Sequence, residues 1–292
     1  MSAVIIDGKK VAAKVKEEVR ERVERLKERG INPCLAVILV GEDPASVSYV
    51  KGKQKALAEA GMEGRDLHLP ETATEAELLS LIAALNTDKN VHGILVQLPL
   101  PAHIREEVVI TAIDPRKDVD CFHPVSLGKL LQGQDGFLPG TPQGIVVLLR
   151  ELKIPLSGAH AVVVGRSNIV GKPLAMLLAR REVNATVTIC HTGTRDLASH
   201  TRQADILIAA CGKPGLIKGD MIKKGAAVID VGVNRVTDTN FKKGYRLTGD
   251  VEFDEATEIA GWITPVPGGV GPMTIAMLMQ NVVLAAEAPG EG

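Results

Sequence analysis

The sequence predicts an α/β protein made of two parallel-sheet halves, and three observations carry that prediction. Strand-length apolar runs alternate with amphipathic helical stretches, and the alternation halts and restarts near residue 141. The run at 35–40 is almost continuously apolar, as in a strand buried on both faces of a parallel sheet. Two glycine-bearing strand-to-helix turns, one at Gly165 and one at 264–274, place a nucleotide-type turn and a second stiff backbone stretch in one chain.

The first half reads as follows. Residues 4–6 are a short strand, and a helix spans about 9–29, with Val11, Val15, Val19, Val23 and Leu26 on one face. Gly30 supplies its C′ position. The strand at 35–40 leads through 41–44 into a helix ending near Ala60. A strand at 66–69 follows. Thr74 and Glu77 form a capping-box pair that opens a helix to about Leu85. A strand at 91–97 ends in the stiff run L-P-L-P at 98–101, and a helix near 104–112 precedes a polar loop at 114–120. A helix from Thr141 to about Leu152 is the expected hinge.

The second half restarts the pattern. Strands are expected at 160–164, 186–190, 205–209 and 226–231, with shorter ones at 246–247 and 261–263 and a helix through 173–180. That order is similar to a dinucleotide-binding domain. A long apolar helix at 273–286 is expected to return to the first domain. The domains are therefore drawn as 1–140 plus 273–292, and 141–272.

Composition narrows the function classes. The chain has 292 residues, 45% hydrophobic and 24% charged, with a net charge of −1. This is a globular composition without the basic excess of a nucleic-acid or anionic-membrane binder. No apolar run is read as a bilayer span, and charge comes too early at the N-terminus for a signal peptide. Cys34, Cys121, Cys190 and Cys211 form no C-x-x-C pair, so reduced thiols, a cytoplasmic location and no metal are expected.

Residues 162–173 read V-V-V-G-R-S-N-I-V-G-K-P between a strand and a helix, where backbone N–H groups and the helix dipole face an anion. This is not G-x-G-x-x-G, because Ser167 takes the second glycine position. Nor is it a Walker-type loop: five residues separate Gly165 from Gly171, and Pro173 stands where a magnesium-binding hydroxyl belongs. The following strand ends C-H-T-G-T-R without an acid, so NADP is favoured over NAD, with Arg166 and Thr192 available to its 2′-phosphate.

The stretch at 264–274, T-P-V-P-G-G-V-G-P-M-T, holds three glycines and three prolines in eleven residues. Such a stiff, bare backbone lets a flat ligand approach closely. Composition alone favours an ordinary Pro/Gly loop; the strand before it and the apolar helix after it count against that reading. Tyr49 and Lys53 share a helix face with Lys51 and Lys55 nearby, and spacing does not choose among the lysines. Gln97 ends a buried strand, where ligands sit in open α/β sheets. Asp118 and Asp120 serve equally well as local caps or as partners of Lys117.

In order, Y-V-K-G-K-Q-K at 49–55, Q-L-P-L-P at 97–101, K-D-V-D at 117–120, T-P-Q-G at 141–144, G-R-S-N-I-V-G at 165–171 and the 264–274 run resemble the bifunctional methylenetetrahydrofolate dehydrogenase/methenyltetrahydrofolate cyclohydrolase family. The resemblance extends from Ile5 to about Ala286. It implies NADP-linked oxidation of 5,10-methylenetetrahydrofolate, then hydrolysis to 10-formyltetrahydrofolate, a one-carbon donor for purine biosynthesis, by a homodimer whose partners are tetrahydrofolate derivatives. By this resemblance Lys53 is the catalytic lysine, Gln97 orients it, Asp120 rather than Asp118 binds the pterin, and Tyr49 stacks on the folate. Leu98, Gly271 and Pro272 line the folate cleft. Thr141, Gly165, Arg166, Ser167, Thr192, Val233 and Thr274 serve the cofactor. Cys121 stands where glycine is more usual, in a turn that a cysteine must strain to adopt. The rival readings are a dehydrogenase without the hydrolase step and a nucleotide-sensing scaffold with a relict cleft.

Overall fold

The computed structural model describes residues 2–238, 241 and 244–288. The last four residues of the C-terminal segment assigned from the sequence lie outside them. In chain order the elements are β1 (Val4–Ile5), α1 (Gly8–Glu28), β2 (Cys34–Val40), α2 (Pro44–Glu59), β3 (Glu63–Leu69), α3 (Glu75–Thr87), β4 (Gly93–Val96), α4 (Glu106–Ala112), α5 (Pro124–Gln132) and α6 (Gly140–Glu151). Then follow β5 (His160–Val164), α7 (Gly171–Ala179), β6 (Thr186–Cys190), α8 (Leu197–Thr201), β7 (Ile206–Ala209), β8 (Ala227–Asp230), β9 (Asn234–Thr237), β10 (Tyr245–Thr248), α9 (Phe253–Ile259), β11 (Trp262–Ile263) and α10 (Val270–Glu287).

Two compact units result. One combines the chain up to Ala13 with Gly140–Thr274, and the other combines Lys14–Pro139 with the chain from Ile275. The three-stranded unit has a parallel sheet in the order β3-β2-β4. All seven residues of β2 are buried, as its apolar run requires of a central strand. The capping box of α3 forms as expected: Thr74 N donates to the Glu77 carboxylate at 2.7 Å, and Glu77 N donates to Thr74 Oγ1 at 3.2 Å. Leu78, Ile82 and Leu85 of that helix join Ile38 and Ile94 in the core.

The six-stranded unit has an all-parallel sheet in the order β1-β11-β8-β7-β5-β6. The chain steps from β5 out to the edge strand β6 and returns to β7 on the other side of β5. A topological switch point therefore falls between the C-terminal ends of β5 and β7. Helix α7 packs on β5 and β6.

Several expectations are corrected. The sequence assigns the N-terminal strand to the first domain, but it pairs with β11, with Val4 N donating to Gly261 O at 2.9 Å and Ile6 N to Ile263 O at 2.8 Å. Two residues carry too little pattern to select a sheet. The short strand at 246–247 is part of an antiparallel β9–β10 ribbon, outside the main sheet. Helix α5 was passed over, although Pro124 stands in its first turn and Gly133, at φ 71°, closes it. Helix α10 begins at Val270, so the second half of the 264–274 run is helical. By length and composition α10 could cross a membrane, contrary to the reading that no run is long enough. It is apolar because it is core: Ala276, Met277, Val282 and Val283 are fully buried. Arg22 of α1 pairs with Glu287 at 2.6 Å.

The K-D-V-D run is braced from both sides. Lys117 donates to the carbonyls of Leu85 and Asp88 at 2.8 and 2.7 Å rather than pairing with its neighbouring aspartates. The buried Asn281 of α10 donates to Val119 O and Leu138 O, both at 2.8 Å. Asp118 is buried and accepts from Phe122 N at 3.1 Å and His123 N at 2.9 Å. Cys121 sits in that turn at φ 59°, the left-handed conformation a glycine would hold more easily. Burial outweighs the donors around Asp118 and lifts its carboxyl to about 6.

The native state therefore favours protonated Asp118, and that contribution is complete below about pH 4 and lost as pH rises through about 6. Urea unfolding of the wild type and Asp118→Asn at about pH 4.5 and about pH 6.5 should show the wild type's advantage narrowing by about 2 kcal/mol at the higher pH. An advantage that stays level or widens contradicts this assignment.

Candidate active site

Parallel strands deliver their C-terminal ends to one edge, and each unit has its polar groups there. In the three-stranded unit, β4 runs into Gln97, whose N–H continues the ladder to Ile38 O at 2.9 Å. The Gln97 side-chain Nε2 donates to Leu98 O at 2.8 Å, which fixes the amide so that Oε1 faces Lys53. Lys53 Nζ donates to that oxygen at 3.1 Å.

The three lysines differ in their surroundings. Lys51 and Lys55 are exposed, and Lys55 lies 3.8 Å from Glu59, whereas Lys53 is half-buried. Burial lowers the Lys53 pKa, with Asp120 opposing the shift; burial raises the Asp120 pKa, with Lys53 opposing it. Asp118, by contrast, is spent on local backbone. Lys53, Gln97 and Asp120 thus form one electrostatic group: an amine whose pKa burial lowers, an amide bonded to it and a carboxylate that shares its field. Tyr49, one turn before Lys53 on α2, exposes about half of its surface, at 53%. Leu98 follows Gln97 directly.

In the six-stranded unit the switch point opens a cleft of about 500 Å³, lined among others by Gly165, Arg166, Thr192, Ala210, Cys211 and Lys213. Gly165 has φ 139°, and a Cβ there would lie 2.1 Å from Ala210 O. A Cβ on Gly171 would lie 2.2 Å from Gly165 O. Both glycines are required for the turn to close on the ends of β5 and β7. Ser167 Oγ accepts from Val170 N at 3.1 Å and Gly171 N at 3.3 Å, so it caps the start of α7. Among the described residues no carboxylate lines the cleft, whereas Arg166 and Lys213 do, which suits a phosphorylated dinucleotide.

The remaining sequence-named residues lie elsewhere. Thr141 and Thr274 join through their hydroxyls at 2.9 Å. Gly271 and Pro272 occupy the first turn of α10, and Val233 is exposed on the loop after β8, outside the walls of the Gly165 cleft. Sequence reading passed over His191, Thr194 and the Ala210–Lys213 wall. The available signal was C-G-K-P-G at 211–215, a glycine-proline turn at the C-terminal end of a buried strand. His191 is held by its loop: its N–H donates to Thr194 Oγ1 at 2.8 Å, and its Nδ1 accepts from Gly193 N at 3.1 Å.

Comparison with known proteins shows the family. Residues 6–120 match the catalytic domain of tetrahydrofolate dehydrogenase/cyclohydrolase, and residues 139–289 match its NAD(P)-binding domain. A protein of Moorella thermoacetica named bifunctional protein FolD is 60% identical over 286 residues, covering 98% of this chain and 99% of the relative. The crystal structure of the bifunctional FolD methylenetetrahydrofolate dehydrogenase/cyclohydrolase of Campylobacter jejuni superposes with a TM-score of 0.93 at 50% identity, covering 98% of this chain and 99% of that one. The Trypanosoma brucei enzyme, complexed with NADP cofactor and an inhibitor, gives a TM-score of 0.93 at 42% identity, covering 98% of each chain. The chain belongs to the tetrahydrofolate dehydrogenase/cyclohydrolase family.

Proposed function

We propose that the chain oxidises 5,10-methylenetetrahydrofolate to the 5,10-methenyl cation with NADP, and hydrolyses that cation to 10-formyltetrahydrofolate. The observation that carries this reading is the half-buried Lys53 amine, 3.1 Å from Gln97 Oε1 in the field of Asp120. NADP, when bound, supplies the hydride acceptor. Gly165, Arg166, Ser167 and Thr192 would hold it, the glycine leaving its backbone open to a phosphate and Arg166 with Thr192 available to a 2′-phosphate. Thr141, Val233 and Thr274 would complete its contacts. Asp120 binds the pterin, Tyr49 stacks on the folate, and Leu98, Gly271 and Pro272 line its path.

The oxidation needs alignment of donor and acceptor carbons more than a base. Hydrolysis differs, because water must lose a proton as it adds to the cation. A lysine amine at its ordinary pKa is protonated and cannot take that proton. Burial lowers the Lys53 pKa against the opposing pull of Asp120, and an arriving cationic substrate lowers it further, which favours loss of the ammonium proton and lets the amine act as base. Gln97 holds it in place through Oε1.

The functional unit is a homodimer in the cytoplasm, and its formyl product feeds purine synthesis. The family resemblance supports the dimer, and four cysteines without a disulfide suit a reducing compartment. Sedimentation equilibrium should give twice the 31.0 kDa chain mass, and a monomer at micromolar concentration would remove the dimer.

A spectrophotometric assay with 5,10-methylenetetrahydrofolate should show NADPH forming with little methenyl chromophore; persistent methenyl would leave a dehydrogenase alone. Lys53→Met should slow methenyl hydrolysis at least about 100-fold, and an unchanged rate would end its assignment as the base. Arg166→Ala should weaken NADP about 10- to 100-fold while changing NAD far less, read as KM for each cofactor. Equal losses for both cofactors would remove Arg166 from the 2′-phosphate.

A further inference from the structure

Behind the cleft wall lies a pair of buried aspartates that the proposed chemistry does not use. Asp250 is fully buried, and Asp230 is 4% exposed. Asp250 Oδ2 accepts from Cys211 N at 2.7 Å and Gly212 N at 2.9 Å, and the Cys211 thiol points to the same oxygen at 3.4 Å. Its Oδ1 accepts from Asn234 Nδ2 at 2.9 Å. Asp250 is itself held by Asp230, whose carboxylate accepts from Asp250 N and Val251 N, both at 2.9 Å, and from Gly232 N at 3.0 Å. Asp230 N in turn donates to Thr264 Oγ1 at 2.7 Å.

The network ends at the ligand cleft. Cys211 lines it, and the preceding residue, Ala210, presses its carbonyl against Gly165 where any Cβ would collide. Two consecutive N–H groups taken by one carboxylate oxygen leave the 211–212 backbone little freedom to rotate. If that turn shifts, Ala210 and Lys213 shift with it, and the fit across the switch point loosens. Burial of a carboxylate is costly unless it is hydrogen-bonded, and Asp250 meets that condition by binding the wall rather than by any salt bridge.

We propose that Asp250 is a positioning residue for the dinucleotide: its carboxylate locks the Cys211–Gly212 backbone so that the cleft keeps the width the cofactor needs. This rests on reading that cleft as the NADP site. Methenyl hydrolysis consumes no dinucleotide, so it reports on the fold of the same chain independently of the lock.

Asp250→Ala strips both N–H groups of their acceptor. Asp250→Asn keeps an oxygen for them, and the Asn234 amide can reverse to meet the new NH2. NADP binding by calorimetry, the NADP KM and the hydrolysis rate without dinucleotide are measured for both variants and for Arg166→Ala. Asp250→Ala should weaken NADP at least tenfold and Asp250→Asn about threefold, with hydrolysis within twofold of wild type in each. Should Asp250→Ala fail to fold, Asp250→Asn decides alone. Unchanged NADP affinity in a folded Asp250 variant, or parallel loss of both activities in Asp250→Asn, overturns the assignment. If the wild type binds no NADP, or Arg166→Ala binds it undiminished, the cofactor reading fails instead.

Discussion

Parallel pairing is the constraint on which the rest depends. It places every strand's C-terminal end on one edge of its sheet, where the ladder stops and backbone groups need new partners. Gln97 continues from β4, the phosphate-type turn from β5, the His191 loop from β6 and the Cys211 wall from β7. Each of these four groups therefore follows a rigid strand, and its immediate surroundings are set by how the next residues satisfy the freed backbone.

Those surroundings are built by side chains that close turns rather than by long-range ion pairs. Ser167 caps α7, Asp118 shapes the K-D-V-D turn, Asn281 clamps two carbonyls and Asp250 holds two N–H groups. The ion pairs are mostly at the surface, as in Arg105–Glu75 and Arg116–Asp114, and such exposed pairs contribute little. Of the turn-closing side chains, Asp118, Asn281 and Asp250 are buried, and buried polar groups held by hydrogen bonds are costly to misplace.

Lys53 and Asp120 show how burial shifts ordinary residue types away from their usual titration. Alone, each would be fully charged at neutral pH. Half-buried in one another's field, their pKa values are pulled by desolvation and by mutual attraction in opposite directions. Gln97 is neutral, so it orients the amine without fixing it in the ammonium form, as a carboxylate at 3.1 Å would tend to do.

The sequence by itself determined the α/β alternation, the capping box at Thr74 and Glu77, the glycine turn after β5 and the absence of an acid after β6. These are local: period, spacing and residue type within a few positions settle them. Its ordered motifs also named Lys53, Gln97 and Asp120. Tertiary structure decided which lysine faces an amide, which aspartate serves backbone and which stays near the amine, and which sheet receives β1. It also joined Asp250 to Cys211 across 39 residues of sequence. Such pairings have no period to read, because they arise only when separate strands close side by side and each buried polar atom must find whatever partner the packing brings.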